Sequence, residues 1–290
     1  MRKIKLLLFI SILILTMSSL SCKRASDEKL DLTQPTTGKL FIIGGELNSS
    51  VLVERVIKEA GLDKSGYALM LSFNKSIDDS AGDNYQSIFK GKGVNNFRSL
   101  NLFKKPSVNN VDLELIRNAS LIIVSGAEQS AFLNSVQGVP VKETLYLAFR
   151  NGTSIAGVNS GASIVSKTII TGKEIKHSKQ STFFSTIEAN NVEISEGLGF
   201  IDQVIIDEEF IKKRKLNRLI SVCLENPQNT CIGIDESAAV IINQNNVEVI
   251  GEGQVIVIKH PTAETKVVNG LLGAKDLSMS VYLPGDTFCL

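Results

Sequence analysis

The stretch Gly152-Thr-Ser-Ile-Ala-Gly-Val-Asn-Ser-Gly-Ala-Ser163 decides how the chain is read. Small and β-branched residues run into Gly157, and Gly161 and Ala162 follow at once, which suits a buried strand, a sharp turn and a helix opening at Ser163. Glycines two before and two after an apex residue let the backbone fold tightly and lift one side chain above a sheet, the layout of a nucleophile elbow, G-x-S-x-G. The apex here is Asn159. An amide nitrogen is delocalised into its carbonyl, so no base activates it as it would a serine hydroxyl.

Working outward, Lys39-Leu-Phe-Ile-Ile43 is a continuous apolar run ending at Gly44-Gly45, the pattern of a strand buried on both faces. Apolar positions at 51, 52, 56 and 57 with a stop at Gly61 predict a helix over 49–60. The alternation continues with strands at 67–73, 121–124 and 153–158 and helices at 81–90, 111–118 and 141–150. Such alternation predicts an α/β fold, a predominantly parallel central sheet with helices on both faces. In these sheets ligands sit beyond the carboxyl ends of the strands. Gly44-Gly45-Glu46, Gly126-Ala-Glu-Gln129 and Asn159 all fall at such ends, so three loops are expected to meet at one site. Beyond the elbow, 173–190 reads as an inserted loop or hairpin and 211–224 as a basic helix. Short antiparallel strands are expected at 238–242, 247–250 and 254–258, and the last thirty residues are weakly patterned.

The first residues read as an export signal: a basic Met-Arg-Lys-Ile-Lys start, an apolar run from Leu6 to Leu15, and small residues before Cys22. Ser21-Cys22 resembles the end of a bacterial lipoprotein signal, with Ser19 where a leucine is usual; a plain secretory signal is the alternative. The expected organisation is a lipoprotein signal at 1–21, a flexible tether at 22–37 and one α/β domain at 38–290. Acylation of Cys22 would hold the protein on a membrane of the cell envelope, periplasmic or at the surface, without a spanning helix. With the leader's basic residues set aside, acidic residues slightly outnumber basic ones, which gives no electrostatic footprint for nucleic acid. Cys223, Cys231 and Cys289 show no C-x-x-C and the chain has 2 histidines, so neither a metal nor any other cofactor is expected. Cys223 and Cys231 read either as a disulfide or as buried free thiols.

Taken in order, the motifs resemble the cyanophycinase branch of the serine exopeptidases that includes the aspartyl dipeptidases, on the flavodoxin-like, class I glutamine-amidotransferase-like fold. The likeness runs from about Gly38 to about Lys259. It rests on Gly44-Gly45-Glu46, on Gly126-Ala-Glu-Gln129 where the family shows Gly-Gly-Asp-Gln, and on Gly157-Val-Asn-Ser-Gly-Ala-Ser163 where it shows Gly-Thr-Ser-Ala-Gly-Ala-Ser. Gly197-Leu-Gly199, Asp207-Glu-Glu-Phe210 in place of Asp-Gln-His-Phe, Arg218-Leu219, Asn226-Pro227 and Gly233-Ile-Asp-Glu236 follow. The resemblance implies a serine-type peptidase whose nucleophile, base and orienting places fall on Asn159, Glu209 and Glu236. Only Glu236 matches. It further implies substrate contacts at Gly126, Gln129 and Asp207, and allows a homodimer.

Loss of nucleophile or base leaves a triad only about 10³–10⁴ over water, so the leading expectation is a catalytically inactive relative that binds a peptide or an arginine-containing small ligand. Asp207, Glu208, Glu209 and Glu236 would make its pocket acidic; alternatively, Glu208 and Glu209 are a solvated helix start. A working hydrolase with the shifted nucleophile Ser160, activated by Glu209, is the second reading, and a partner-binding scaffold the third. His177 and His260 lie outside every matching motif.

Overall fold

A computed structural model describes residues 37–72, 80–102, 107–125, 140–177 and 184–290. The expected leader, Cys22, Gly126 and Gln129 lie outside the described residues. The first half alternates as the periodicity requires: β1 (Leu40–Ile43), α1 (Ser50–Glu59), β2 (Ala68–Ser72), α2 (Ser80–Gly91), β3 (Phe97–Asn101), α3 (Asn110–Arg117), β4 (Leu121–Ser125), α4 (Val141–Arg150), β5 (Ser154–Val158) and α5 (Ser160–Ile164). The second half is mostly strand: β6 (Thr168–Glu174), β7 (Val192–Glu196), β8 (Val204–Asp207), α6 (Leu216–Glu225), β9 (Thr230–Ile234), β10 (Ala238–Asn243), β11 (Asn246–Gly251), β12 (Val255–Lys259), β13 (Thr265–Val268), β14 (Leu271–Ala274), β15 (Ser278–Tyr282) and β16 (Thr287–Cys289).

Eight strands form the central sheet in the order β16-β11-β10-β1-β5-β4-β2-β3. The pairings among β1, β5, β4, β2 and β3 are parallel, and β10, β11 and β16 extend the sheet antiparallel. Alternate residues of each strand serve opposite cores. Phe41, Ile43, Met70, Ile123 and Ala156 meet Leu52, Val56, Ile57, Tyr85 and Phe89 of α1 and α2. Leu40, Ile42, Leu69, Leu71, Ile122 and Ile155 meet Ile116, Leu145, Phe149, Ala162 and Ile164 of α3, α4 and α5. Helices therefore cover both faces, which is why these runs are apolar without alternation.

A second sheet, β15-β12-β9-β8, presents Val204, Ile206, Ile232, Ile234, Val255 and Val257 to the α3–α5 core and turns Ile205, Cys231 and Ile258 toward α6. Local chemistry sets the helix boundaries. Asn109 and Asp112 form a reciprocal capping box at 3.0 and 3.1 Å. The end of α1 closes on paired bonds from the Gly61 N–H to the Lys58 carbonyl and from the Leu62 N–H to the Ile57 carbonyl.

The structure departs from the sequence reading at several points. The basic helix begins at Leu216, five residues later than expected, because Glu209 (φ 45°) and Arg214 (φ 54°) sit in the left-handed region and cannot propagate a right-handed helix. The β3 strand has an alternating, half-polar face in keeping with its edge position, so no apolar run announces it. The last thirty residues form four strands, whose weak pattern reflects exposure of Val267, Val268, Leu271, Met279 and Val281.

At the elbow, α5 folds back onto the sheet. A Cβ on Gly161 would lie 2.1 Å from the Val124 carbonyl oxygen of β4, and one on Gly157 would lie 2.4 Å from the Gly161 oxygen. The helix starts at Ser160, not Ser163, and the turn is one residue wide. Gly161→Ala must push α5 off β4, at a cost of about 3 kcal/mol. The expected outcome is a lower urea midpoint with an unchanged slope; a midpoint equal to wild type would show that helix and strand are not in contact there.

Candidate functional site

The site is assembled on the two glycines that end β1. The Gly44 N–H donates to Ala238 O (3.0 Å), Glu209 N–H donates to Gly44 O (2.9 Å), and Asn159 N–H donates to Gly45 O (3.3 Å). A Cβ on Gly44 would lie 2.1 Å from Asp235 O, and one on Gly45 would lie 2.4 Å from Glu236 O. The elbow, the loop after β8 and the loop after β9 thus meet on one bare dipeptide, bringing the backbones of Asn159, Glu209 and Glu236 together. Among the described residues, no side-chain hydrogen bond directly joins Asn159, Glu209 and Glu236.

Asn159 occupies the apex with φ 52° and ψ −127°, a sparsely populated conformation that costs about 1–3 kcal/mol and is held by the packing on either side. Its amide nitrogen donates to Glu46 Oε1, and Glu46 Oε2 accepts the Tyr85 hydroxyl at 2.7 Å. Burial pushes the Tyr85 phenol up, and the Glu46 carboxylate adds to the effect, so the phenol stays protonated as a donor. Neither Glu46 nor Tyr85 was given a role by the sequence. Glu46 stands beside the glycine pair, but nothing in the pattern of α2 marks Tyr85.

Glu236 pairs with Lys212 Nζ, and the Lys212 N–H donates to Asp235 Oδ1 (3.3 Å). The side-chain hydrogen bond to Glu236 holds the Lys212 ammonium above its ordinary range, with Glu209 and Asp235 adding negative charge nearby. Lys212 was read as one of several basic residues on a helix; the turn at 211–214 brings it to Glu236 instead.

Asp207 and Glu208 belong to a different environment from Glu209 and Glu236. Asp207 has no side-chain exposure and takes Arg218 Nε at 2.7 Å and Nη2 at 2.5 Å, with Lys215 Nζ at 3.3 Å. Lys215 also reaches Glu208 Oε1 at 3.5 Å. Asp207 is thus spent on its ion pairs within the fold and presents no face to a ligand, while Glu208 shares only Lys215. The solvated-helix reading fails too, since α6 begins at Leu216 and Glu208 is largely buried. Among the described residues, the carboxylates open to solvent around the elbow are Glu46, Glu209, Asp235 and Glu236.

Ser160 opens α5, and its carbonyl accepts the Ser163 hydroxyl at 3.0 Å. His177 Nε2 meets Glu188 Oε2 at 2.8 Å, in the segment between β6 and β7. His260 is buried, with Nε2 3.2 Å from Thr265 Oγ1. It follows β12, and the β9/β12 register pairs Val255 with Ile234 and Ile258 with Cys231, so it lies at the end of that sheet away from Glu236. Among the described residues no group of three His, Cys, Asp or Glu side chains is arranged to hold a metal ion.

Burial raises the Glu208 carboxyl, the Asp207 charge adds to this, and Lys215 opposes it only in part. The native state therefore keeps this proton to higher pH than the unfolded chain does, and stability falls as pH rises from about 4.3 through the raised folded value. Glu208→Gln should flatten that fall, leaving stability at low pH unchanged and raising it at neutral pH. Urea midpoints of both proteins across the pH range check this; parallel curves would contradict it.

A family model, "Peptidase family S51", matches residues 77–250. The chain is 23% identical to a cyanophycinase of Nostoc sp. (strain PCC 7120 / SAG 25.82 / UTEX 2576) over 279 residues, 92% of this chain and 90% of that protein. It is 24% identical to a cyanophycinase of Geminocystis herdmanii (strain PCC 6308) over 233 residues, 78% of this chain and 82% of that one. The crystal structure of a peptidase from an acI-B1 actinobacterium superposes with a TM-score of 0.64 at 19% identity, covering 88% of this chain and 97% of the other, a likeness of fold. With the family match spanning more than half its length, and the elbow, the glycine pair and the sheet order in place around it, the chain belongs to peptidase family S51.

Proposed function

We propose that this protein is a catalytically silent member of the family whose elbow site binds a cationic peptide ligand of the arginine-containing class. One observation carries the reading: the residue at the apex is an amide, Asn159, hydrogen-bonded to Glu46. Acyl transfer needs an atom at that place that can lose a proton and attack. An amide supplies none, and both histidines have partners in other parts of the fold.

Binding is supported by the charges left at the site. Glu209, Asp235 and Glu236 act on one neighbouring cation, Lys212, while Glu46 accepts from Asn159 and Tyr85, and the Lys212–Glu236 pair is about half exposed. Exposed pairs of this kind are worth only about 0–1 kcal/mol, so a ligand guanidinium displaces the lysine at little cost. Its planar fork gains two parallel hydrogen bonds to a carboxylate that an ammonium cannot make. Export and lipid attachment at Cys22 belong to the same proposal, supported by the leader pattern of residues 1–22.

Two measurements test it together. Cyanophycin and β-aspartyl-arginine dipeptide should be left uncleaved, while the dipeptide raises the melting temperature of wild type but not of the Glu46→Gln/Glu236→Gln variant. At a ligand concentration one hundred times Kd the gain is about 2.7 kcal/mol. Turnover by wild type would contradict catalytic silence, and an unmoved melting curve would contradict the ligand class.

A further inference from the structure

We propose that Cys223 and Cys231 form a disulfide-forming site that fastens α6 to β9 behind the elbow. Both side chains are fully buried and share an apolar cluster with Ile205, Leu219, Val222 and Ile258. Cys223 Sγ lies 3.8 Å from the Ile258 carbonyl oxygen, and Ile258 is the residue directly across from Cys231 in the β9/β12 ladder. Residues directly opposed in an antiparallel ladder keep their Cα atoms about 4.5–5.5 Å apart, so the Cys223 sulfur lies against the ladder at the level of Cys231. The two thiols act on each other, which lowers Cys223 and raises Cys231, the latter raised by burial as well. Cys289 is exposed on β16, in the other sheet, with its sulfur 3.6 Å from Asn246 Oδ1, so it does not compete for either partner.

Oxidation needs an acceptor, which we take to be a low-molecular-weight or protein disulfide. In thiol–disulfide exchange one cysteine thiolate attacks that disulfide, releasing its first thiol. The second cysteine thiolate then displaces the other, forming the Cys223–Cys231 bond. Two protons leave the cysteines and end on the two released thiols; the acceptor disulfide is reduced. Because both sulfurs are buried in the fold, the exchange belongs to folding in an oxidising compartment, in keeping with the export leader.

The position gives the bond a consequence. Lys215 and Arg218, at and just inside the start of α6, hold Asp207 and Glu208, immediately before Glu209, and β9 runs directly into Asp235 and Glu236. A link between Cys223 and Cys231 ties together the two segments that present those loops.

To test it, the full chain is unfolded with reductant and refolded in glutathione with glutathione disulfide. It is then alkylated under denaturing conditions and cut with a glutamate-specific protease, which cleaves after Glu225 and separates the two cysteines. The expected product is one pair of peptides joined through Cys223 and Cys231 that only reductant parts. The refolded protein should also lose about 5 °C or more of melting temperature when reduced. Recovery of both cysteines as alkylated thiols, a linkage through Cys22 or Cys289, or a melting temperature indifferent to reductant would each overturn the proposal.

Discussion

Beyond Ile43 the backbone has no side chain for two residues, and the candidate site is built in that gap. Gly44 and Gly45 are approached to within 2.1 and 2.4 Å of where a Cβ would stand, by Asp235 O and Glu236 O. Their own carbonyls accept the N–H groups of Glu209 and Asn159. Any side chain at either position would separate the central sheet from the second sheet and carry the elbow with it. Local backbone contact, rather than contact between charged side chains, therefore sets the geometry in which Asn159, Glu209 and Glu236 come together. That explains how the arrangement persists although the apex carries an amide.

Charge is divided across the site in a way that composition alone hides. Asp207 and Glu208 sit among Arg218 and Lys215 in surroundings where an unpaired carboxylate would cost several kcal/mol. They orient the loop that follows β8 and contribute nothing to its outer face. Glu46, Glu209 and Glu236 lie nearer solvent, where Asn159 donates to the first and Lys212 answers the last. Four consecutive letters, Asp207-Glu-Glu-Phe210, thus contain a buried anchor, a carboxyl raised by burial, a partly exposed carboxylate and a core aromatic. Phe210 fills the space left by Gly233, where a Cβ would touch its ring at 2.4 Å.

Much of the fold was legible because parallel strands buried on both faces leave unbroken apolar runs. Leu40–Ile43 and Leu121–Ser125 stand out in the sequence for that reason, and Val141–Arg150 shows its helix through its buried stripe. Edge and exposed strands carry no such mark, so β3 and β13 through β16 were illegible. The elbow could be read from spacing, and the meeting of Gly44-Gly45 with Asn159 from their places at strand ends, whereas the loops carrying Glu209 and Glu236 were placed there only by the resemblance. The partners could not: Tyr85 and Lys212 reach the site through helix packing and through positive φ at Glu209 and Arg214, neither of which a single sequence displays.

The account stands on the claim that no activated hydroxyl is raised at the elbow. A fluorophosphonate probe, which reacts covalently only with a serine made nucleophilic by its surroundings, addresses this without knowledge of the substrate. Intact-mass spectrometry after incubation with excess probe should show an unmodified chain, with Asn159→Ser alone equally silent because no imidazole stands beside it. A stoichiometric adduct on wild type, mapped to Ser160 or to any other serine near the glycine pair, would contradict the claim.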